Sequence, residues 1–225
     1  MEKLDWDAIE GVKLHLEYLK EMGIRDIVCS ERWGHSISEK KAFTLKEIRD
    51  QLGDCKRCKL HRTRKTLVFG EGNEKAKLML IGEGPGYDED VQGRPFVGKA
   101  GQLLTNILHH IGLQRHEVYI TNIIKCRPPN NRNPEPDEIE SCRPFLLKQI
   151  EAIKPQLICA LGTFSAQALL QTEAKITLLR GKFYDLSGIR IIPTYHPAYL
   201  LRNPEKKKEV WRDMKLIAKT LAGEL

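Results

Sequence analysis

Residues 78–86 read LMLIGEGPG, an unbroken apolar run that ends in a turn of glycines and a proline. An apolar run without polar alternation reads as a strand buried on both faces. Such strands sit in mostly parallel sheets whose crossovers are helices. The segments that follow fit this reading. GKAGQLLTNILHHIG (98–112) reads as a helix stopping at Gly112, and VYITNI (118–123) as a strand. PDEIESCRPFLLKQIEAI (136–153) reads as a helix with Pro136 in its first turn. QLICALG (156–162) is a strand, TFSAQALL (163–170) a short helix, and RIIPTYHP (190–197) the last strand. From Asn203 a terminal helix carries Val210, Met214, Ile217 and Leu221 on one face. The fold class is α/β, a three-layer α/β/α sandwich around a central, mostly parallel sheet.

Ahead of this core, Thr44 and Glu47 form a capping box for a helix that ends near Gly53. Residues 4–22 place Leu4, Ile9, Val12, Leu16 and Leu19 at helical spacing. The expected division is an N-terminal helical extension, 1–44, and a main domain, 45–225. In parallel sheets ligands bind beyond the carboxyl ends of the strands. Three unusual stretches fall there: GEGPG after the first strand, TNIIKC at the second, and HPAYLLRNP after the last. They are expected to meet in one crevice.

The glycine-rich loop is acidic, with Glu83, Asp88, Glu89 and Asp90. These carboxylates would repel a phosphate, and the loop lacks the Lys-Ser/Thr of a P-loop. It reads as a receiver of a neutral group beside a carboxylate that acts on it, with Glu83 in that place; a solvated structural acid is the alternative. Phe96 is either core or a stacking platform for a flat ring. Asn122 is either a turn residue or an amide that reads a base edge with its donor and acceptor. His196 is either structural or functional, and its position at the same sheet edge favours function.

Six cysteines in a reducing compartment are not expected to pair as disulfides. Cys55 and Cys58 are a Cys-x2-Cys pair, and Cys126 and Cys142 complete a set of four. Four thiolates suit tetrahedral zinc or an iron–sulfur cluster. The helical setting of Cys142 leans toward the cluster, and a fully protein-ligated centre reads as a structural staple. Cys159, in LICALG, reads as core, and Cys29 has no evident partner. The net charge of +7 and pI of about 9.1 favour an anionic partner such as nucleic acid. Basic residues gather at 61–65, at Arg127, Arg132, Arg143 and Arg202, and at 206–208. With no membrane-length apolar run and no signal peptide, a cytoplasmic address is expected.

GEGPGYDEDVQGRPFVGKAGQLL (82–104), YITNIIKCRPPNNRNPEPDEIESCRPFL (119–146) and HPAYLLRNP (196–204), with the Cys-x2-Cys pair and VFGEGN (68–73), resemble the signature blocks of the family 4 uracil-DNA glycosylases. The resemblance covers roughly residues 45–222. It implies a 4Fe-4S cluster on Cys55, Cys58, Cys126 and Cys142. It implies a uracil pocket lined by Glu83, Gly84 and Pro85, with Phe96 stacked on the base, Asn122 on its polar edge, Glu89 at its C5 edge, and His196 at O2. Catalysis then falls to Glu83 and His196. The implied activity is hydrolysis of the glycosidic bond of a flipped deoxyuridine, by a monomer acting on single- or double-stranded uracil-containing DNA, with no membrane partner. Two departures stand out. Gly84 replaces the alanine usual in the family, and residues 1–44 have no counterpart in its compact members. A branch that captures abasic DNA covalently carries a basic, histidine-bearing insertion after the second block; here KCRPPNNRNPEP runs straight through, so that activity is not expected.

Overall fold

Four parallel strands form the centre of one six-stranded sheet, in the order β1-β3-β2-β4-β6-β5. The structure, a computed structural model, describes residues 43–224 and Lys20. Apart from Lys20, the segment 4–22 read as helix lies outside the described residues, as does Cys29. The central strands are β2 (Leu78–Gly82), β3 (Tyr119–Asn122), β4 (Leu157–Leu161) and β6 (Ile189–Thr194). The edges are short and antiparallel, β1 (Glu71–Gly72) against β3 and β5 (Tyr184–Leu186) against β6. The helices are α1 (Leu45–Leu52), α2 (Tyr87–Gln92), α3 (Lys99–His110), α4 (Pro136–Ile153), α5 (Thr163–Leu170), α6 (Ile176–Leu179), α7 (Pro197–Arg202) and α8 (Lys207–Leu221). None of the described helices is long and apolar enough to cross a membrane.

The apolar runs are continuous because alternate residues feed two separate cores. Met79, Ile81, Ile158, Ala160 and Ile191 pack with Leu45, Ile48, Phe145 and Ile150, so α1, α4 and α5 cover one face. Leu78, Leu80, Leu157, Cys159 and Ile192 pack with Leu104, Leu108, Val210, Met214 and Ile217, so α3 and α8 cover the other. The layers are those expected. The boundary residues of α1 behave as read: Thr44 Oγ1 accepts from Glu47 N–H while the Glu47 carboxylate accepts from Thr44 N–H, and Gly53 closes the helix.

Two stretches differ from the reading. The last strand, read as RIIPTYHP (190–197), stops at Thr194, and Pro197 starts α7 with His196 as its cap. The tail begins as a 3₁₀ turn over Pro204–Lys206 and becomes α-helical only at Lys207. A buried polar staple holds this region. Thr194 Oγ1 donates to Asp213 Oδ2 at 2.6 Å, and Arg180 Nη2 donates to Asp213 Oδ1 at 2.6 Å. It ties β6 to α8 immediately before His196.

The turn into α3 is packed without slack. A β-carbon on Gly101 would stand 1.9 Å from the carbonyl oxygen of Phe96. Phe96 itself sits at φ +52, an unusual conformation for a non-glycine residue. Helix propensity alone assigns Gly101→Ala a gain of about 1 kcal/mol. The collision reverses the sign, and the variant is expected to lose about 2–3 kcal/mol, or roughly 4–12 °C in Tm by calorimetry. Gly112→Ala, at φ +77 with no atom in the way, is expected to lose only about 1 kcal/mol.

Candidate active site

One cleft of about 360 Å³ opens beyond the carboxyl ends of the parallel strands. Glu83, Gly84, Pro85, Glu89, Phe96, Asn122 and His196 all line it. The pairing of β2 with β3 sets Gly82 opposite Asn122. It continues past the sheet, where Ile123 N–H donates to Gly82 O and Ile124 N–H to Glu83 O. Glu83 and Asn122 are therefore held on adjacent chains. Gly82 has to be glycine here, because a β-carbon would come within 2.5 Å of both Asn122 Oδ1 and the Phe96 ring. At position 84 a β-carbon would meet Ile124 Cγ1 at 2.8 Å. In this chain the Ile124 side chain takes the room that a β-carbon at position 84 would need.

Asn122 is buried, and its Oδ1 has no hydrogen-bond partner. A buried acceptor left open costs about 1–3 kcal/mol, so the cleft offers an acceptor site to a ligand N–H. His196 caps α7 by accepting at Nδ1 from Ala198 N–H, 3.1 Å away. That bond leaves Nε2 as the donor nitrogen. Burial first, then the charge of Arg202, push the pKa of His196 down to about 4, against the pull of Glu89. The imidazole is neutral at pH 7. Its ring lies 5.5 Å from the Phe96 ring at an interplanar angle of 30°. No donor reaches the Glu83 carboxylate among the described residues, and burial pushes its pKa up to about 7.

Glu89 is the opposite case. Its Oε1 accepts from Val97 N–H at 2.8 Å and Gly98 N–H at 2.9 Å, and its Oε2 from Gly86 N–H at 3.1 Å. One carboxylate thus joins the glycine loop to the start of α3. The backbone of Phe96 is held from outside by Arg115, which donates to Phe96 O at 2.9 Å, Pro95 O at 2.8 Å and Glu71 Oε1 at 2.6 Å. The sequence reading missed Arg115, because its main partners are backbone carbonyls that no side-chain motif announces. Ile124, Asn133 and Tyr199 also line the cleft without a signal in the sequence.

The four cysteines come from three places: Cys55 and Cys58 after α1, Cys126 after β3, and Cys142 inside α4. They lie close enough to act on one another's charge. Cys58 feels Cys55, Cys126 feels Cys142 and Cys58, and Cys142 feels Cys58 and Cys55, though burial is the larger influence on each. Among the described residues no group of three His, Cys, Asp or Glu side chains closes on a single metal ion. Three basic side chains lie near the cysteines. Arg64 Nη1 stands 3.3 Å from Cys126 Sγ, and Arg57 Nη1 stands 3.3 Å from Cys55 Sγ. Lys125 is completely buried; its Nζ donates to Thr121 Oγ1 at 2.6 Å and Asn122 O at 2.7 Å. Burial pushes the Lys125 pKa down to about 7, and among the described residues the charges that oppose this are Cys142 and Cys126. The Cys-x2-Cys turn is also tied across by Lys59, which pairs with Glu135 and Asp137.

The basic residues at the mouth separate by partner. Arg132 is engaged by the buried Glu138, with Nη2 to Oε1 at 2.6 Å and Nη1 to Oε2 at 2.9 Å. Lys206 is paired with Glu209. Arg202 is exposed at the rim of the cleft and in no ion pair among the described residues.

The chain matches the family model of the uracil DNA glycosylase superfamily over residues 69–215. It is 44% identical over 182 residues to a type-4 uracil-DNA glycosylase of Archaeoglobus fulgidus, covering 77% of this chain and 92% of the relative. It is 47% identical to one from Saccharolobus solfataricus, covering 79% and 86%, and 48% identical to one from Thermotoga maritima, covering 69% and 82%. A match of this extent, falling on the strands and loops that build the cleft, places the chain in the uracil DNA glycosylase superfamily, among its type-4 members.

Proposed function

We propose that the chain excises uracil from DNA, hydrolysing the N-glycosidic bond of a deoxyuridine turned out of the stack and leaving an abasic site for base-excision repair. Residues 45–225 carry this activity, and residues 1–44 are an extension to it. The observation that carries the reading is the open Asn122 Oδ1 in a cleft with a neutral histidine. Uracil presents N3–H to such an acceptor, whereas cytosine presents a lone pair at N3 and leaves it unsatisfied.

The base enters after flipping, which costs a few kcal/mol of stacking and pairing. Phe96 receives its face. The amide of Asn122 accepts from N3–H and donates to O4. As the C1′–N1 bond breaks, the electron pair moves onto uracil and positive charge grows on the sugar. Nε2–H of His196 donates to O2, where negative charge develops, and a neutral donor suits this because it needs no proton from solvent. Glu83 as carboxylate stabilises the sugar cation or orients the water that adds to C1′, and the water's proton leaves to solvent. Arg202 and Arg127 hold backbone phosphates, and Leu201, exposed on α7, fills the vacated stack.

Only the ionised form of Glu83 serves, so kcat/KM is expected to rise with pH through about 7, and His196 adds no further limb above about 4. Glu83→Gln is expected to lower single-turnover excision at least about 100-fold and flatten that limb. Stability carries the matching sign. The folded pKa lies above the unfolded one, so the folded state keeps a proton that the unfolded chain has lost between pH 4.5 and about 7. Stability is thus present below that window and lost as pH rises through it. The Tm of Glu83→Gln is expected to gain on wild type between pH 5 and 8. A constant difference across that range would show that Glu83 is not forced to ionise in the fold.

The cysteines fit a thiolate-ligated centre of net negative charge, because the buried Lys125 has no carboxylate partner among the described residues and two arginines reach the sulfurs, Arg64 in addition to its pair with Asp54. A 4Fe-4S cluster on Cys55, Cys58, Cys126 and Cys142 would pin α1, α4 and the end of β3 together and supply no redox step. Aerobically purified protein is expected to be brown with about four irons per chain. One zinc and no visible absorbance would overturn the assignment. Cys126→Ser is expected to lower soluble yield and Tm more than it lowers the activity of whatever protein folds.

Glu89 is the proposed gate against the 5-methyl group of thymine. An apolar wall distinguishes one methyl by only about 1–3 kcal/mol, so the block must be stiff. Three backbone N–H bonds make this carboxylate stiff. Glu89→Ala is expected to raise the ratio of 5-methyluracil to uracil excision while costing about 1–3 kcal/mol of stability. An unchanged ratio in single-turnover assays would remove Glu89 from this role.

A further inference from the structure

A second cluster lies just outside the cleft, on a ring that the base pocket does not use. Gly86 lines the cleft, and the next residue, Tyr87, does not. Tyr87 is 54% exposed, more than any other aromatic side chain among the described residues. Lys65 lies 5.3 Å from its ring centroid and Arg127 5.1 Å. The two cations reach it from different parts of the chain. Lys65 is anchored by its own N–H, which donates to the buried Asp90 at 2.9 Å. Arg127 is aimed by its Nε, which donates to Asn131 Oδ1 at 2.7 Å.

Neither cation has a carboxylate partner among the described residues, although Arg64, Arg94, Arg115, Arg132 and Arg180 all do. The terminal nitrogens of Arg127 have no protein acceptor among them either. Asp88, the next residue in the chain, is turned toward Gly98 and forms no ion pair with Lys65 or Arg127 among the described residues. Two like charges are thus gathered on one exposed ring. Cation–π attraction at an exposed site is weak, about 0.5–1 kcal/mol, and part of it is spent against mutual repulsion. An anion between or beside them removes that repulsion. A planar guanidinium with free donors and a lysine point charge are the pair that binds phosphate oxygens. A base seated in the cleft carries a phosphate on each side of its own sugar, and those phosphates must pass over the rim.

We propose that Tyr87, Lys65 and Arg127 form a clasp for the phosphodiester backbone next to the flipped nucleotide. The clasp rests on the uracil-excision reading for its position and not for its chemistry. It grips the strand without reading sequence, and Tyr87 serves as the frame that keeps both cations at the rim.

The test uses the full-length protein and single-stranded oligonucleotides with one deoxyuridine, in which a neutral methylphosphonate replaces one phosphate at a time. Each strand is assayed with wild type and with the Lys65→Gln/Arg127→Gln double variant, by sub-saturating excision rate and by binding in fluorescence anisotropy. In wild type, neutralising a phosphate that flanks the deoxyuridine is expected to weaken both readouts about tenfold, the size of one charged hydrogen bond. The double variant is expected to lose about tenfold or more on the unmodified strand and nothing further at that flanking phosphate. At phosphates several nucleotides away the two effects should multiply. Tyr87→Phe should behave as wild type, and Tyr87→Ala should show the double variant's pattern in weaker form. Losses that multiply at every position, or a double variant equal to wild type on the unmodified strand, overturn the clasp. The binding grid does not need turnover. Failure of wild type to release uracil therefore sinks the excision reading and still leaves the clasp decided.

Discussion

Two hydrogen bonds beyond the end of the sheet, Ile123 N–H to Gly82 O and Ile124 N–H to Glu83 O, set the geometry on which the site depends. They prolong the β2–β3 pairing by two residues into what would otherwise be independent loops. Strand pairing is rigid where loops are not, so Glu83 and Asn122 inherit the precision of the core. The other members are then fitted to this pair. Gly82 makes room for the Asn122 amide and the Phe96 ring, and Gly162 does the same for His196, whose β-carbon would be 2.9 Å from an added one. Arg115 holds Phe96 at a backbone angle it would not choose, and Glu89 ties the glycine loop to α3. These constraints come from different elements, and Glu83, Glu89, Phe96, Asn122 and His196 all line the one cleft.

Behind Asn122, outside the lining of the cleft, charge governs the packing. Lys125 is buried, and its ammonium donates to Thr121 Oγ1 and to the carbonyl of Asn122. A lone buried ammonium is expensive. Its location between Asn122 and the sulfurs of Cys126 and Cys142 makes sense if the sulfurs are thiolates. One residue then links the proposed cluster site to the amide proposed to read the base. The same logic applies to Arg64 and Arg57, which lie against two of the sulfurs and pair otherwise with backbone carbonyls and Asp54. A centre proposed there would be part of the fold's electrostatics and would need no opening to substrate.

The core was legible in the sequence because it is redundant there. LMLIG, QLICALG and the amphipathic stretches of α3, α4 and α8 state their burial residue by residue, and α4 and α5 occupy the residues read as helical. The edge strands were not legible, since two residues in β1 and three in β5 are too short and too exposed to show a pattern. Helix α2 has the sequence YDEDVQ, with no apolar period; it is helical because Glu89 caps it from within and Asp90 bonds the segment at 65–66. The site residues were legible as a set, because strand ends converge by topology. Their states were not. Nothing in a string of letters says that Glu89 is saturated and Glu83 bare, or that Arg132 is taken by Glu138 while Arg127 is free of acids. Partner assignments of that kind arise only when distant segments are brought together.

These differences of state separate the groups proposed to act from the groups that hold them. Glu89, Arg115 and Arg132 satisfy every rule for polar groups in a fold, with short bonds to backbone or to opposite charge. Glu83 and Asn122 break those rules among the described residues, one as a half-buried carboxylate without a donor, the other as a buried amide oxygen without a proton. Both faults are stable only because the surrounding pairs, caps and ion pairs overdetermine the backbone beneath them. Both would be relieved at the same moment, when a flat neutral base offers its N–H and its sugar begins to carry positive charge. Interactions that improve as the bond breaks are the ones that lower a barrier. The strain of these two groups and the role proposed for them therefore have one physical origin.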